Sequence, residues 1–563
     1  MSTDDFSYWA KLWHPYKSIE SHYNENSYKL VVEDKVKVWN SFDIIELDKP
    51  INWDIDPFNN KTWGLYFNSL NWLYAIFWGY DNNFENNEFM ENIVVDYCNY
   101  LDNGEVNEMA WFDHTTSDRL CFLSALIAHP IYVDFANTNK LLIEEIIFKH
   151  VTKIREFYDS KFWYNSNHGV FHALAILNIC QFEPFSKSDY GLKKFGEKYL
   201  QISLKGIISI DDAFTLEQSM YYHQLAIGLL ETIPDEMLEI ASLETDVKKL
   251  IERMIESNYW ITYDERVMVP LGDTAFGASV PLDYMPRHKP KDKFKTFPIC
   301  GVSIYKYENK NNLCDHVTFL HQDHRAPHGH FDALSVTICH DNIPFLIDSG
   351  GPFKYGDPLR FSYFMSNRAH NNLILNNCVH QSFARDIVFS SPHEMLQTIS
   401  ASHTGYDPIK LTREVFILDN HGVLIIDKLN EVIDLNSLQS IWHFAPNCEL
   451  NLIANKFVIT NKGKEISFSC STIDELTHEI LQGVDGDNPQ GWITTGIGLA
   501  IPINTLVLKN KGKISKKIGY YFSFNNEENF EFIGDRFCLD MENTKFNCDF
   551  SDHLNPSRFN FTN

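Results

Sequence analysis

Several features that often place a chain are missing from this sequence. There is no Cys-x-x-Cys pair, and the 11 cysteines are scattered and odd in number. That pattern argues against a disulfide framework, and the thiols are expected to be buried and reduced. No apolar run approaches the roughly 20 residues that a membrane span needs, and the aromatic-rich run Trp72 to Tyr80 is far too short. Positive charge is scarce as well. Against 75 Asp and Glu stand 48 Lys and Arg, for a formal net charge of −27. That balance argues against a nucleic-acid partner, and any groove for an anionic polymer would have to be basic only locally. The start, Met1-Ser2-Thr3-Asp4-Asp5-Phe6, has neither the basic n-region nor the apolar core of a signal peptide, so as written the chain reads as soluble and cytoplasmic.

What the chain does have is length and aromatic rings. With 563 residues it should hold more than one domain, and 42 Phe and 12 Trp can serve sugar-stacking grooves or plain core packing. Residues 1–60 lack a clear period and read as an N-terminal extension packed on the helical domain. From 61 to 285 the helical period dominates. Ser117-Asp118 can cap a helix with Leu120, Leu123 and Ile127 on one face, and Asn167 is a natural N-cap for a helix carrying Val170, Leu174 and Leu177. Further amphipathic segments lie near 190–205, 217–232 and 235–258. The Pro-punctuated basic run at 286–296 reads as a linker. From 297 to 563 the period becomes two, with a hairpin about Asn420-His421-Gly422 and strands at Leu438–Phe444, Lys456–Thr460 and Tyr520–Phe524. The fold class is thus α+β multidomain, a helical domain followed by an antiparallel β-sandwich.

The strongest chemical signal runs from Asp315 to Asn372, where five of the 23 histidines fall between 316 and 330. His328-Gly329-His330-Phe331-Asp332 precedes a strand pattern, Leu334 to Ile338. A turn at His340-Asp341-Asn342 leads to a second apolar run that ends at Asp348-Ser349-Gly350-Gly351. Arg360 comes next, and then Arg368-Ala369-His370-Asn371-Asn372. Histidines and a carboxylate hung on a strand pair suit a divalent metal and acid/base chemistry. Strict pairing about Asp341 would set Asp348 opposite Leu334, so His330 would have to reach in from the loop before the strand. His316 and His321 fit structural roles better, Trp442-His443-Phe444 fits a packed strand, and Asp332 suits orienting a neighbouring histidine.

Upstream stand Ser166-Asn167-His168 and Ser219-Met220-Tyr221-Tyr222-His223. In this order the motifs resemble the signature of the heparinase II/III-like polysaccharide lyases. The resemblance spans roughly residues 60 to 550 in order and architecture, with residue-level matching confined to these short motifs. It implies an incomplete (α/α) toroid followed by an antiparallel β-sandwich, and cleavage of a uronate-containing glycan by β-elimination. By the same resemblance Asn167 and His168 would neutralise the substrate carboxylate, Tyr222 would be the catalytic tyrosine and His328 would lie in the active site. His330, Asp348 and His370 would hold a divalent metal, zinc in the family, in a mainly structural role. Arg360, Tyr355 and Arg325 are candidate substrate contacts. The chain departs from the family where Ser166 replaces a frequent Asn, where Asn372 follows His370-Asn371 in place of Thr, and in showing no leader although relatives are usually exported.

The expected partner is an anionic polysaccharide or oligosaccharide, heparan-type first, with no nucleic acid and no membrane; a homo-oligomer is compatible with all of this. Alternatives are a lyase of alginate or of a bacterial capsular uronate polymer, a glycoside hydrolase, or a non-catalytic glycan-binding protein of the same fold. A hydrolase needs two carboxylates roughly 5–10 Å apart, and no acidic pair stands beside the motifs.

Overall fold

The computed structural model describes residues 12–13, 24–38, 42–81, 84, 87–129, 132–187, 191–241, 243, 245–263, 265–321, 328–354, 356–376, 384–432, 435–512, 514–541, 544–551 and 559–562. Packing divides the chain into two compact units. The first comprises residues 1–208 and 226–251, the second 209–225 and 252–563. A helical N-terminal region thus precedes an antiparallel sheet-rich C-terminal region. No helix among the described residues is long and apolar enough to cross a membrane.

In the first unit the helix Asp113–Ala128 is the central element. All its residues from Thr115 to Leu126 are buried, so it has no solvent face. The expectation of a one-sided helix capped by Ser117-Asp118 is thereby corrected. The helix begins at Asp113, with Phe112 at the N-cap position, and Ser117 and Asp118 lie inside it. Short polar side chains survive in this interior by bonding back to the preceding turn, as Ser117 and Ser124 do to His114 and Leu120 carbonyls. Helices Lys140–Ser160, Asn167–Ile179 and Leu192–Ile207 follow in the same unit. Trp13 stacks on Phe171, and its backbone N–H donates to Asn178 at 2.9 Å, which ties the start of the chain to the helix Asn167–Ile179.

In the second unit a five-stranded meander, Phe294–Phe297, Val302–Glu308, Cys314–Leu320, Val336–His340 and Ile343–Leu346, pairs in sequence order. Beside it in the chain lies an eight-stranded antiparallel sheet built from residues 384–429, 449–470 and 517–523. Its hairpin Ile409–Leu418 to Gly422–Leu429 turns at Asn420, which takes φ +62°. One hydrophobic core joins both sheets, with Trp442 packed against Tyr520 and Phe522. Among the described residues ten cysteines are free and nine of them are buried.

The last hairpin of the meander differs from the simple register. Asp341 and Asn342, at φ +52° and +64°, make a two-residue turn that sets His340 opposite Ile343. A shift then places Ile338 opposite Leu346. Pro344 has no N–H to give the ladder, so an irregularity beside it is physically reasonable. Asp348 lies past the last paired residue and is not opposite Leu334.

Candidate active site

Within the second unit the site is organised by a residue the motifs do not contain, Asp273. It is fully buried. Its Oδ1 accepts from His330 Nε2 at 3.2 Å and from an Arg360 terminal nitrogen at 2.9 Å. Its Oδ2 accepts from His328 Nδ1 at 3.0 Å and from the other Arg360 terminal nitrogen at 2.8 Å. Burial alone would raise this carboxyl, but the His328, His330 and Arg360 donors outweigh it and hold Asp273 well below the usual carboxylate range.

Glycines make that convergence sterically possible. Gly272 takes φ +54°, and a Cβ there would meet the Gln218 carbonyl oxygen at 2.2 Å and the His328 carbonyl oxygen at 2.7 Å. A Cβ on Gly351 would stand 2.5 Å from Asp273 Oδ1. The next residue after Asp273, Thr274, caps the start of the helix Met220–Thr232 from a distance: its Oγ1 accepts from the N–H of Met220 at 2.9 Å and of Tyr221 at 3.1 Å. One short loop, 272–274, therefore positions both the helix bearing Tyr222 and the loop bearing His328.

Tyr222, half-buried, lies ring on ring with His328, the centroids 3.5 Å apart and the planes 15° from parallel. The buried Glu217 carboxylate stands 3.8 Å from His328 Nε2. His328 is thus held between two carboxylates with a phenol on its face.

Next to this lies the candidate metal set. His330, Asp348 and His370, all buried, offer ligand atoms within 4.8 Å of one another. Asp348 Oδ2 is 2.7 Å from His370 Nδ1. His330 Nδ1 and His370 Nε2 are buried with no hydrogen-bond partner among the described residues. Burial holds His330 below the ordinary histidine range, against the pull of Asp273, whereas Asp348 beside it lifts His370 above that range. Two buried ring nitrogens without a hydrogen-bond partner among the described residues, beside a carboxylate, fit a zinc-type ion. His330 does reach in from the loop before the strand. Behind the set, the Asn371 side chain donates to the carbonyls of Val336 and Ile347 and accepts the His443 N–H, which ties the residue after His370 to the residue before Asp348.

Arg360, buried at 3% exposure, spends its fork on Asp273. Tyr355 and Arg325 lie outside the described residues. His316 and His321 are buried structural rings, bonded to the Trp260 carbonyl and to Ser303.

In the first unit, Asn167 opens the helix Asn167–Ile179, but the N-cap is Ser166, whose Oγ accepts from the His168 N–H. The capping position is one residue earlier than the spacing suggests, and the Ser166 hydroxyl also donates to the Asn167 side-chain oxygen at 3.3 Å. His168, 21% exposed at its side chain, bonds through Nδ1 to Asp113 Oδ2 at 2.6 Å and stacks on Trp163 at 4.9 Å. Burial would raise Asp113, but His168 and His172 beside it win and keep it well below its usual range.

Sequence reasoning missed Asp273, Glu217 and Asp113. Pro270-Leu271-Gly272-Asp273-Thr274 stands where the helical period gives way to strands, and an acid after a glycine at that border was the available signal.

Residues 289–515 match the family model described as heparinase II/III-like, C-terminal. No curated protein matches the chain. Among solved structures, a heparinase III aligns at 12% identity with a TM-score of 0.68, covering 95% of this chain and 93% of that one. The heparan sulfate lyase HepC of Pedobacter heparinus aligns at 13% identity and 0.62, over 96% and 89%. The chain therefore carries a heparinase II/III-like C-terminal domain in residues 289–515 and, over nearly its whole length, has the fold of the heparinase III structures.

Proposed function

We propose that this protein is a polysaccharide lyase that cleaves a uronate-containing glycosaminoglycan, heparan-type first, by β-elimination. The observation that carries the reading is the Tyr222–His328 stack, with His328 tied through Nδ1 to buried Asp273.

In this reaction a base removes the C5 proton, which is α to the uronate carboxylate. The electron pair becomes the C4–C5 double bond, and the C4 glycosidic oxygen leaves with a proton from an acid. Because the C5 proton is weakly acidic, donors that neutralise the carboxylate supply much of the rate. Asn167 and His168 are the proposed donors. Tyr222 is the proposed proton-transfer residue, and His328, its face against the phenol, is the second candidate. A tyrosine titrates near pH ~10 when unperturbed, so it needs help to act as phenolate at neutral pH. His330, Asp348 and His370 would hold a divalent ion, zinc by the chemistry of the donor set, whose charge fixes the loop bearing His328.

A hydrolase mechanism is disfavoured by the same geometry. Asp273 and Glu217 flank His328, but four donors already occupy Asp273, which leaves it no lone pair for a nucleophilic or general-base role.

The test is ultraviolet absorbance of the new double bond across heparan sulfate, heparosan, hyaluronan, chondroitin and alginate. A rise with a glycosaminoglycan supports the reading, whereas reducing ends without absorbance would refute β-elimination. The metal is tested separately. His330→Ala should lose the ion and melt at lower temperature, because metal bound only by the folded chain adds to folding free energy. Unchanged metal content in that variant would refute the ligand set.

A further inference from the structure

We propose that Asp273 is a positioning residue that couples the metal-holding histidine to the proton-transfer histidine. The inference rests on the lyase reading for its catalytic half and on the donor geometry alone for its metal half.

An ionised carboxylate is acceptor-only, with about four lone-pair positions. All four are taken in Asp273, two donors on each oxygen: His330 Nε2 and an Arg360 nitrogen on Oδ1, His328 Nδ1 and the other Arg360 nitrogen on Oδ2. Because the carboxylate can only accept, both ring contacts must be N–H donors, and that assigns the hydrogens. His330 carries its hydrogen on Nε2 and keeps Nδ1, the buried atom without a partner among the described residues, for a metal. His328 carries a hydrogen on Nδ1, so its Nε2 edge is turned toward Glu217, 3.8 Å away, with Tyr222 against its face. The backbone repeats the link, since the Asp273 N–H donates to the His328 carbonyl at 2.9 Å.

Arg360 has a matching role. Its two terminal nitrogens grip both Asp273 oxygens and pin the carboxylate plane, so the two histidines sit on fixed oxygens. Movement of His330 on metal loss is passed to His328 through one rigid group rather than through the substrate. This distinguishes a metal that organises the site from one that polarises the glycan.

The experiment uses Asp273→Asn in the full chain. An amide can accept on its oxygen only, and its NH2 would face two donors. Zinc affinity should fall about 10–100-fold, as for other lost partners of metal-binding histidines. Turnover should fall in kcat with KM little changed, the sign of a displaced catalytic group rather than a lost glycan contact. Chelation of the wild type should lower kcat in the same way, and chelation of Asp273→Asn should lower it little further. A folded Asp273→Asn that keeps wild-type zinc affinity and kcat overturns the proposal, as does one that lowers only the melting temperature. If that variant does not fold, Arg360→Lys decides, because it keeps the cation and loses the fork. Parallel smaller losses of zinc affinity and kcat support the coupling, and wild-type values for both overturn it. If the wild type makes no unsaturated uronate from any polymer, the lyase reading fails, and zinc affinity alone then decides whether Asp273 holds His330.

Discussion

Tyr222→Phe is expected to lower turnover about 10²–10⁴-fold, the usual loss when a positioned acid or base is removed. Only one oxygen is deleted. The ring that lies 3.5 Å from His328 remains, so the stack and the helix Met220–Thr232 should survive. The helix start is held from Thr274, which is a second reason to expect an unchanged fold. Melting temperature and glycan affinity should therefore stay near wild type while kcat collapses. Full activity in the phenylalanine variant would remove Tyr222 from proton transfer and leave His328 as the only candidate of the pair.

How far the sequence carried this site depends on which physics is local. The change from a 3.6 to a 2 period near residue 290 is a property of neighbouring residues, and it gave the helical and sheet-rich halves. The candidate metal set was legible for a similar reason. His330 and Asp348 flank one hairpin, and His370 comes soon after, so the chain brings them within 4.8 Å by short connections. Asp273 was not legible. It acts across 55 residues to His328 and 87 to Arg360, and no period or motif encodes such a meeting. The capping errors have a different cause. Ser166 and Asn167 are both good N-cap residues, and the choice between them is made by backbone angles, with Ser166 at φ −139° and ψ 148°. For Asp113–Ala128 an amphipathic reading failed because the helix is buried on all sides, so no face was left to show a pattern.

The largest stability effect should come from a residue far from the glycan chemistry. Arg413, fully buried, forms a two-pronged pair with Asp427, both bonds 2.7 Å. Its remaining terminal nitrogen donates to the carbonyls of Leu334, at 2.8 Å, and Asn371, at 2.5 Å. Leu334 takes φ +72°, a backbone region that a branched side chain rarely adopts, and the bond to its carbonyl holds it there. Arg413→Ala would leave the Asp427 charge buried without its partner and two carbonyls without their donor. Breaking a buried pair from one side costs about 3–5 kcal/mol. Replacing both partners, as in Arg413→Met with Asp427→Leu, removes the orphaned charge and should recover most of the loss in urea unfolding. Because Asn371 adjoins His370 and its side chain holds the backbone before Asp348, the single variant should also bind zinc more weakly at temperatures where it is folded. A single variant within about 1 kcal/mol of wild type would mean that water reaches Asp427, and would contradict the tight burial of this pair.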